Sequence, residues 1–367
     1  MPLVEGIEVH VLTVPTDLPG GDGTAAWDST TMVAVEVAAA DGSRGLGYTY
    51  GSPAAADVVC KHLAPAVLGS DPDHAGATWR RMVDVVRNEG LPGVAATAIS
   101  AVDIALWDLK ARQHEQPLWL HLGAHRRTVP IYGSGGLTAM TQEQVTAQLS
   151  GWVAAGIPRV KMKIAHNWGA DPEADLERVT AVRTAIGDAE LFVDANGGYT
   201  AKQALRLAES LRRLGVTWFE EPVSSDRLGE LRAIRQATPL DIAAGEYGYT
   251  PWYFDTMLRA EAVDVLQADV TRCLGVTGFL QAAALASGAG VPFSAHCAPA
   301  VHAQVGCAAP DIAHIEYFHD HARLEKMVLS GVPEPQGDLL APDPTAPGLG
   351  LTLRPEAEQY RVAHHTV

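Results

Sequence analysis

The sequence of 367 residues predicts a parallel α/β fold, in which the larger part is either a (β/α) barrel or an open sheet. From Val129 onward, short apolar segments alternate with amphipathic helices over about 200 residues, which is typical of repeated βα units. No GxGxxG motif opens a helix after the first strand, and this argues against a dinucleotide-binding open sheet. The residues before Val129 follow a different pattern and indicate a separate module of strands and helices.

The N-terminal module begins with two predicted strands. Ile7–Val14 and Met32–Val37 are rich in β-branched residues, and a turn at Asp41-Gly42 follows the second strand. The segment Asp17–Ser29 between them is rich in Gly, Pro, Thr and Asp, so we expect an irregular and functional loop there. Residues 94–112 carry apolar side chains at helical spacing and predict a helix, after which Gly123 closes the module.

Eight strand candidates follow the module, most of them succeeded by a helix. In sequence letters they are VPIYGS, RVKMKI, ELFVDAN, GVTWFEEP, LDIAAGE, VDVLQAD, VPFSAH and IAHIEYF. The stretch from Val332 to Leu353 is dense in Pro and Gly, and we expect it to return over the surface.

Composition and charge exclude several classes of protein. The formal net charge is −16, which argues against non-specific binding of nucleic acid. No apolar run reaches the roughly 18 residues that span a bilayer, and the N-terminus lacks the pattern of a secretory signal. The four cysteines form no CxxC pair, so we expect reduced thiols and a cytoplasmic protein without membrane contact.

Ionisable residues stand at the ends of successive predicted strands, where a barrel would carry its chemistry. From the first acidic member onward, the spacings are 26, 26, 23, 27 and 20 residues, each about one βα unit. Such a register is difficult to explain by isolated strand termini or helix caps and predicts a shared site. The residues are Lys161, Lys163, Asp194, Glu220, Glu246, Asp269, His296 and Glu316.

Three of these carboxylates predict a metal site. Asp194, Glu220 and Glu246 end consecutive strands, and three close carboxylates repel one another unless a cation neutralises them. An oxygen-only ligand set selects a hard ion, Mg²⁺ before Mn²⁺ or Ca²⁺, and we expect one divalent ion per subunit. Glu221 should point to the opposite face of an extended segment and act as a partner of the ligands.

The two lysines and the histidine predict proton transfer. Lys161 and Lys163 are separated by one residue, so both face the same side of a strand. Each should depress the pKa of the other. The alternative is a pair of surface lysines that steers an anion. Asp269 on the strand before His296 would fix the tautomer of the imidazole, as in a general-base dyad.

Together these groups suit abstraction of the proton α to a carboxylate. The lysines and the histidine would supply bases on two sides of one bound molecule, with the metal between them. The resulting enediolate carries two negative charges on oxygen, which Mg²⁺, a lysine ammonium and a hydrogen-bond donor such as Glu316 would stabilise.

The motifs resemble those of the mandelate racemase subgroup of the enolase superfamily, over nearly the whole chain. The matching segments, in order, are SAVDIALWDLKAR, Lys161-Met162-Lys163, VDANGGY, WFEEP, AAGE, LQAD, SAH and IEYF. Superfamily members use a Lys or His base with Mg²⁺. The resemblance implies a modified TIM barrel, (β/α)7β, with an N-terminal α+β capping domain. It assigns Lys163 and the His296–Asp269 pair as the two bases, and Lys161 as the partner of the substrate carboxylate.

The resemblance also implies an organisation into three parts. A capping domain would span residues 1–125, the catalytic barrel 126–330, and a C-terminal segment 331–367 would return to the capping domain. Loops near 17–29 and 50–52 would close over the substrate and select it. The substrate-binding residues expected on this basis are Trp27, Asp28, Tyr50 and Asn196.

Three reactions remain open for such a site. The polar character of the 17–29 segment favours dehydration of an acid sugar, a step in carbohydrate catabolism, over racemisation or epimerisation of a 2-hydroxy acid. Cycloisomerisation of a sugar lactone would use the same residues. An acid-sugar-binding barrel without turnover should lack a catalytic group, and a metal-dependent hydrolase should carry an HxH pair. The expected partners are a small carboxylate substrate and further copies of the chain in a homo-oligomer.

Overall fold

The computed structural model describes residues 2–367. The N-terminal part is an antiparallel sheet of strands β1 (Val4–Gly21), β2 (Ala26–Ala39) and β3 (Arg44–Tyr50), with helices on one face. The helices are α1 (Ala54–Val58), continued by a π-helical turn (Val59–Leu63) and α2 (Ala64–Val67), then a 3₁₀ turn (Pro72–His74), α3 (Ala75–Val85), α4 (Val94–Gln113) and α5 (Leu118–His121).

The expected irregular loop at 17–29 is wrong, because β1 and β2 continue as a hairpin through most of it. Gly20 pairs with Trp27 and Gly21 with Ala26, beyond a register shift that follows Pro15. At the tip, the Asp22 carboxylate accepts hydrogen bonds from the backbone N–H groups of Thr24 at 2.6 Å and Ala25 at 2.8 Å. This side-chain turn closes the hairpin, and it is a device that composition alone does not reveal.

Helix α4 packs against strand β3 at very short range. A Cβ atom at Gly45 would lie 2.2 Å from the Ala105 carbonyl oxygen, and one at Gly47 would lie 2.1 Å from the Ala101 carbonyl oxygen. The two glycines therefore let the helix rest on the strand backbone. The other side of α4 faces the barrel, where Asp103 accepts hydrogen bonds at 2.9 Å from the Thr277 amide and hydroxyl.

Within residues 2–367, eight parallel strands close into a barrel through the pairing of β11 with β4, and the predicted fold class is confirmed. The short strand β13 (Leu339–Leu340) adds to β4 in antiparallel orientation. The barrel strands are β4 (Val129–Gly135), β5 (Arg159–Lys163), β6 (Glu190–Asp194), β7 (Val216–Glu220), β8 (Asp241–Ala244), β9 (Val265–Ala268), β10 (Phe293–Ala295) and β11 (Ile312–Phe318).

Helices follow the barrel strands and cover them from outside. They are α6 (Gln142–Ala154), the short α7 (His166–Gly169), α8 (Pro172–Ile186), α9 (Ala201–Arg213), α10 (Leu228–Ala237), α11 (Pro251–Arg259), α12 (Gly275–Ala289), α13 (Pro299–Ala308) and α14 (His319–Val328). Several begin at a side-chain cap, such as Thr141 before α6 and Thr200 before α9.

An aromatic cluster fills the barrel interior below the strand ends. The rings of Tyr132, Phe192 and Trp218 pack together, with centroids 5.1–6.4 Å apart, and all three are buried. His314 packs on them, and burial lowers its pKa to about 3, so this imidazole is a neutral core residue. The cluster fills the barrel beneath the polar residues at the strand ends.

The C-terminal residues return to the N-terminal sheet. After the short strands β12 (Leu329–Ser330) and β14 (Thr352–Leu353) and a 3₁₀ turn (Pro355–Tyr360), strand β15 (Arg361–Thr366) pairs with β1 in antiparallel orientation. None of the helices in the described part of the chain is long and apolar enough to cross a membrane.

Candidate active site

A cavity of about 340 Å³ lies at the C-terminal end of the barrel, beneath the hairpin of β1 and β2. From the barrel side it is lined by Lys163, Asn196, Glu246, His296, Cys297 and Glu316. From the N-terminal sheet it is lined by Asp22, Trp27, Ser29, Thr30, Thr31 and Tyr50. The cavity therefore has a floor of ionisable groups and a roof of hydroxyl, carboxyl and aromatic groups.

Both lysines of the KxK motif are buried and paired with carboxylates. Lys161 Nζ lies 2.7 Å from each Glu220 carboxylate oxygen and 2.9 Å from Glu316 Oε1. Lys163 Nζ donates a hydrogen bond to Asp194 Oδ2. Alternation along β5 places both side chains on the inner face of the barrel, as expected, and excludes the alternative of two surface lysines.

Lys161 does lower the pKa of Lys163, as expected, but the net pKa shift of both lysines is upward. Burial alone would lower the pKa of Lys163, but the carboxylate of Asp194 outweighs it and holds that pKa above its ordinary value. The same balance, with Glu220 and Glu316 as the anions, raises the pKa of Lys161. In this structure the facing carboxylates dominate over the repulsion between the two ammonium groups.

His296 and Asp269 form the predicted pair. His296 Nδ1 lies 2.9 Å from Asp269 Oδ2, and the other oxygen of Asp269 accepts hydrogen bonds at 2.7 Å from the Thr271 amide and hydroxyl. His296 Nε2 lies on the cavity side, 2.5 Å from Glu246 Oε2. Burial would lower the pKa of His296, but the anionic groups around it, including Glu246 and Asp269, raise it well above the usual value.

Glu316, in strand β11 next to the strand that precedes His296, is held as an anion. Its carboxylate accepts hydrogen bonds from Ser134 Oγ at 2.6 Å and from the Cys297 amide at 3.0 Å. Burial would raise the pKa of Glu316, but Lys161 outweighs it and lowers that pKa. Glu316 therefore connects Lys161 to the end of strand β10.

The three carboxylates predicted as metal ligands occupy neighbouring strand ends. Asp194 and Glu220 are paired residues of β6 and β7, and Glu246 follows β8. Within residues 2–367, they do not form a group whose ligand atoms all lie within 4.8 Å of one another. Each instead contacts a nitrogen, of Lys163, Lys161 and His296 respectively, because a buried carboxylate requires a compensating charge.

Two family models cover most of the chain. Residues 6–123 match the N-terminal domain of mandelate racemase and muconate lactonizing enzyme, and residues 144–357 match the enolase C-terminal domain-like family. The chain belongs to the mandelate racemase/muconate lactonizing enzyme family. The resemblance seen in the sequence is thereby confirmed. A curated member, 3,6-anhydro-alpha-L-galactonate cycloisomerase of Streptomyces coelicolor, is 32% identical over 94% of this chain and 95% of its own length.

Solved structures of the mandelate racemase/muconate lactonizing enzyme family superpose closely on the chain. A family-like protein from Rubrobacter xylanophilus is 50% identical, with a TM-score of 0.94 over 98% of this chain and 100% of the other. L-talarate/galactarate dehydratase from Salmonella typhimurium, solved with Mg and L-lyxarohydroxamate, is 26% identical, with a TM-score of 0.91 over 99% and 94%.

The donor groups at the strand ends of this family member fit a hard divalent cation. Burial, followed by the charge of Asp194, raises the pKa of Glu220 to about 8, and a bound cation would counter both effects. Asn196 Oδ1 is buried without a hydrogen-bond partner among the described residues. Clustered oxygen donors with an unpaired amide oxygen beside them match the preferences of Mg²⁺.

Glu221 departs from the expectation that it points away from the ligands. Its backbone has φ of +37°, so the alternation of an extended strand ends there. The side chain is buried, and Oε1 has no hydrogen-bond partner among residues 2–367. Burial, followed by the charges of Glu246 and Asp194, raises the pKa of Glu221 well above its usual range.

Three of the four expected substrate-binding residues line the cavity, namely Trp27, Tyr50 and Asn196. Asp28 does not line it, and that expectation is wrong. Asp28 is exposed and lies between Trp27 and Ser29, which both line the cavity. Asp28 instead accepts a hydrogen bond from Ser29 Oγ at 3.1 Å.

Sequence reasoning missed several residues of the cavity wall. Tyr247 and Arg272 come from the loops after β8 and β9, and Asp320 comes from α14. Tyr247 and Arg272 lie one and three residues after predicted site residues, and this proximity could have identified them. His302 is a structural residue, because it connects the Cys297 carbonyl at 2.7 Å to the Val270 amide at 3.0 Å.

Proposed function

We propose that this chain is a Mg²⁺-dependent enzyme that removes the proton α to a carboxylate, and that its reaction is the dehydration of an acid sugar. The observation that carries the proposal is that Lys163 and His296 line one cavity from strands β5 and β10, on different sides of the barrel mouth. A substrate carbon between them would have a proton-transfer group on each face.

Asp194, Glu220 and Glu246 are the residues that would hold the ion. When bound, Mg²⁺ supplies positive charge that polarises the substrate carboxylate and favours its enediolate form. Lys161 would pair with one carboxylate oxygen of the substrate. Ser134 and the Cys297 amide keep Glu316 in place beside Lys161, and both contacts are buried.

The proposed reaction then uses the chain's own groups in sequence. Lys163 Nζ first gives one of its protons to solvent and is released from Asp194, and the neutral amine then takes the proton from carbon 2. The electron pair forms the enediolate, the bond between carbon 3 and its hydroxyl oxygen breaks, and His296 Nε2 gives its proton to the departing hydroxide. The products are water and an enol, which becomes a 2-keto-3-deoxy acid. Asp269 orients His296 throughout.

The roof of the cavity supports a polyhydroxylated substrate. Ser29, Thr30, Thr31 and Asp22 offer hydroxyl and carboxyl groups beside the rings of Trp27 and Tyr50. Thr30 Oγ1 donates to Asp320 Oδ2 at 2.5 Å, which connects the roof to helix α14. A wall of this polarity suits the hydroxyl groups of a sugar acid better than it suits an aryl group.

The activities of the relatives support both dehydration and a second candidate, cycloisomerisation of a sugar lactone. The Salmonella relative is a dehydratase, and the Streptomyces relative is a cycloisomerase that covers almost the entire chain. Racemisation or epimerisation would need the same two bases. The three reactions differ in their products, since only dehydration releases water.

We further propose the domain division at residues 125 and 330, a small carboxylate as the only partner besides copies of the chain in a homo-oligomer, and a cytoplasmic location. The return of β15 to the sheet of β1 supports the assignment of residues 331–367 to a segment that reaches the capping domain.

The test is a panel of acid sugars, sugar lactones and 2-hydroxy acids, incubated with Mg²⁺ in D₂O and followed by NMR and mass spectrometry. We expect at least one acid sugar to lose water and give a 2-keto-3-deoxy acid with deuterium at carbon 3. A product that differs from its substrate only by incorporated deuterium would replace dehydration by isomerisation. Absence of α-proton exchange for every compound would contradict the proposed chemistry as a whole.

A further inference from the structure

Arg272 is a partly buried cation beside the reaction centre that the proposed steps do not use. It lies three residues after Asp269 and lines the same cavity as Lys163 and His296. Its Nε is 3.6 Å from Asp269 Oδ2, and its Nη1 donates to the Glu246 carbonyl oxygen at 3.3 Å. Since Asp269 and Glu246 both contact His296, the guanidinium flanks the imidazole.

Most of the hydrogen-bonding capacity of Arg272 is unused by the protein. A guanidinium carries five N–H donors, and within residues 2–367 only the contact with the Glu246 carbonyl is a hydrogen bond by distance and angle. The ring of Tyr247 supports the group, with the guanidinium carbon 5.5 Å from the ring centroid. This cation–π contact uses none of the N–H donors, which stay available to a ligand.

Support of Asp269 does not account for Arg272. One oxygen of Asp269 accepts two hydrogen bonds from Thr271, and the other oxygen lies 2.9 Å from His296 Nδ1. The carboxylate is therefore already held from both sides. The 3.6 Å separation from Arg272 Nε is longer than a hydrogen bond, and it contributes charge without fixing position.

We propose that Arg272 determines substrate specificity by donating hydrogen bonds to the hydroxyl oxygen on carbon 3 of the substrate, next to His296. The inference rests on the proposed function, and it names the substrate class as acids that carry a hydroxyl on the carbon adjacent to the reacting one. A planar fork can also reach the oxygen on carbon 4. Simple 2-hydroxy acids would leave its donors unpaired in the closed cavity, which is unfavourable.

The experiment measures binding rather than turnover. Calorimetry with Mg²⁺ present compares the D and L forms of arabinonate and galactonate with their 3-deoxy analogues, on the wild type and on Arg272→Met. For at least one pair, we expect the wild type to bind the 3-hydroxy acid about 10–100-fold more tightly, since a hydrogen bond from a charged donor is lost in the analogue. Arg272→Met should reduce that ratio to within about threefold, chiefly by weakening the 3-hydroxy acid.

Two controls separate recognition from structural damage. Arg235→Met removes an arginine that pairs with Asp264 outside the cavity, and it should keep the wild-type ratio. Arg272→Lys keeps the charge but not the fork, and should lose most of the discrimination. Equal weakening of both members of a pair in Arg272→Met, or a wild type that binds both members of every pair equally, would overturn the inference. A wild type that discriminates within these pairs but turns over no acid sugar would instead contradict the proposed function.

Discussion

His296 Nδ1 and Asp269 Oδ2 are 2.9 Å apart at the ends of neighbouring strands, and both side chains are buried. Because the carboxylate accepts the Nδ1 hydrogen, the other ring nitrogen is turned toward Glu246 and the cavity. The contact therefore fixes both the orientation of the imidazole and the nitrogen that is available for proton transfer.

Asp269→Asn should lower kcat by about 10²–10⁴-fold, because the amide cannot stabilise an imidazolium and can favour the wrong tautomer. The measurement is steady-state kinetics on the best acid sugar of the panel, with a thermal melt to verify folding. Asp241→Asn is the matched control, because this exposed aspartate begins strand β8 at the other end of the barrel. A kcat within threefold of the wild type would remove the pair from the mechanism.

Lys163→Met and His296→Asn should affect the two proton transfers separately. With Lys163 replaced, neither α-proton exchange nor product should be detected, because the base for carbon 2 is gone. With His296 replaced, exchange in D₂O should continue while loss of water stops, since the hydroxide has no acid to protonate it. NMR of the same samples reports both events. Normal exchange in Lys163→Met would show that the base has been misassigned.

Glu220→Gln and Glu221→Gln should differ in their effect on Mg²⁺ binding. Glu220 is a predicted ligand, so its amide variant should bind Mg²⁺ at least about 10–100-fold more weakly. Glu221 is not a predicted ligand, and burial raises its pKa well above the usual range, so a neutral glutamine there should change the affinity by less than threefold. Calorimetric titration of chelator-treated protein measures both constants. A larger loss in Glu221→Gln than in Glu220→Gln would exchange their roles.

Glu325→Gln should alter how stability depends on pH. Burial raises the pKa of Glu325 to about 8, and the carboxyl contacts Tyr48 at 2.6 Å and the Ala300 amide at 3.0 Å. The folded state thus keeps a proton that the unfolded chain releases near its ordinary pKa of 4.5. The stability from this group is complete below that value and is lost as pH rises toward 8.

Relative to the wild type, Glu325→Gln should therefore gain about 1.4 kcal/mol of unfolding free energy per pH unit between pH 5 and 8, and then level off. Denaturant titrations at several pH values provide the measurement. The control is Glu177→Gln on the exposed face of α8, which should follow the wild type at every pH. A difference between Glu325→Gln and wild type that does not vary with pH would refute the buried neutral carboxyl.

The sequence was sufficient to predict the barrel and the residues at its strand ends. The eight strands are short apolar runs, and each of these polar residues lies within two residues of a strand end, so the fold brings Lys163, Glu246, His296 and Glu316 to one cavity. Because parallel strands share one direction, the register along the chain becomes proximity in space.

Residues whose placement depends on local backbone geometry could not be predicted. The hairpin at 17–29 is closed by the side chain of Asp22, and the orientation of Glu221 follows from its positive φ. Asp28 was misplaced because the register of β2 is set by its pairing with β1 beyond a bulge. Arg272 and Tyr247 were missed because they lie in loops, where no periodicity marks a side chain that turns inward.

The pairing of β15 with β1 has a consequence for synthesis of the protein in the cell. Strand β1 leaves the ribosome almost the whole chain ahead of its partner, a delay of roughly 20–70 seconds at ordinary rates of translation. Throughout that interval its outer backbone groups are an open edge, able to pair with a strand of another nascent chain. Truncation before residue 361 would make that exposure permanent, so C-terminally shortened products should aggregate even where their barrel is complete.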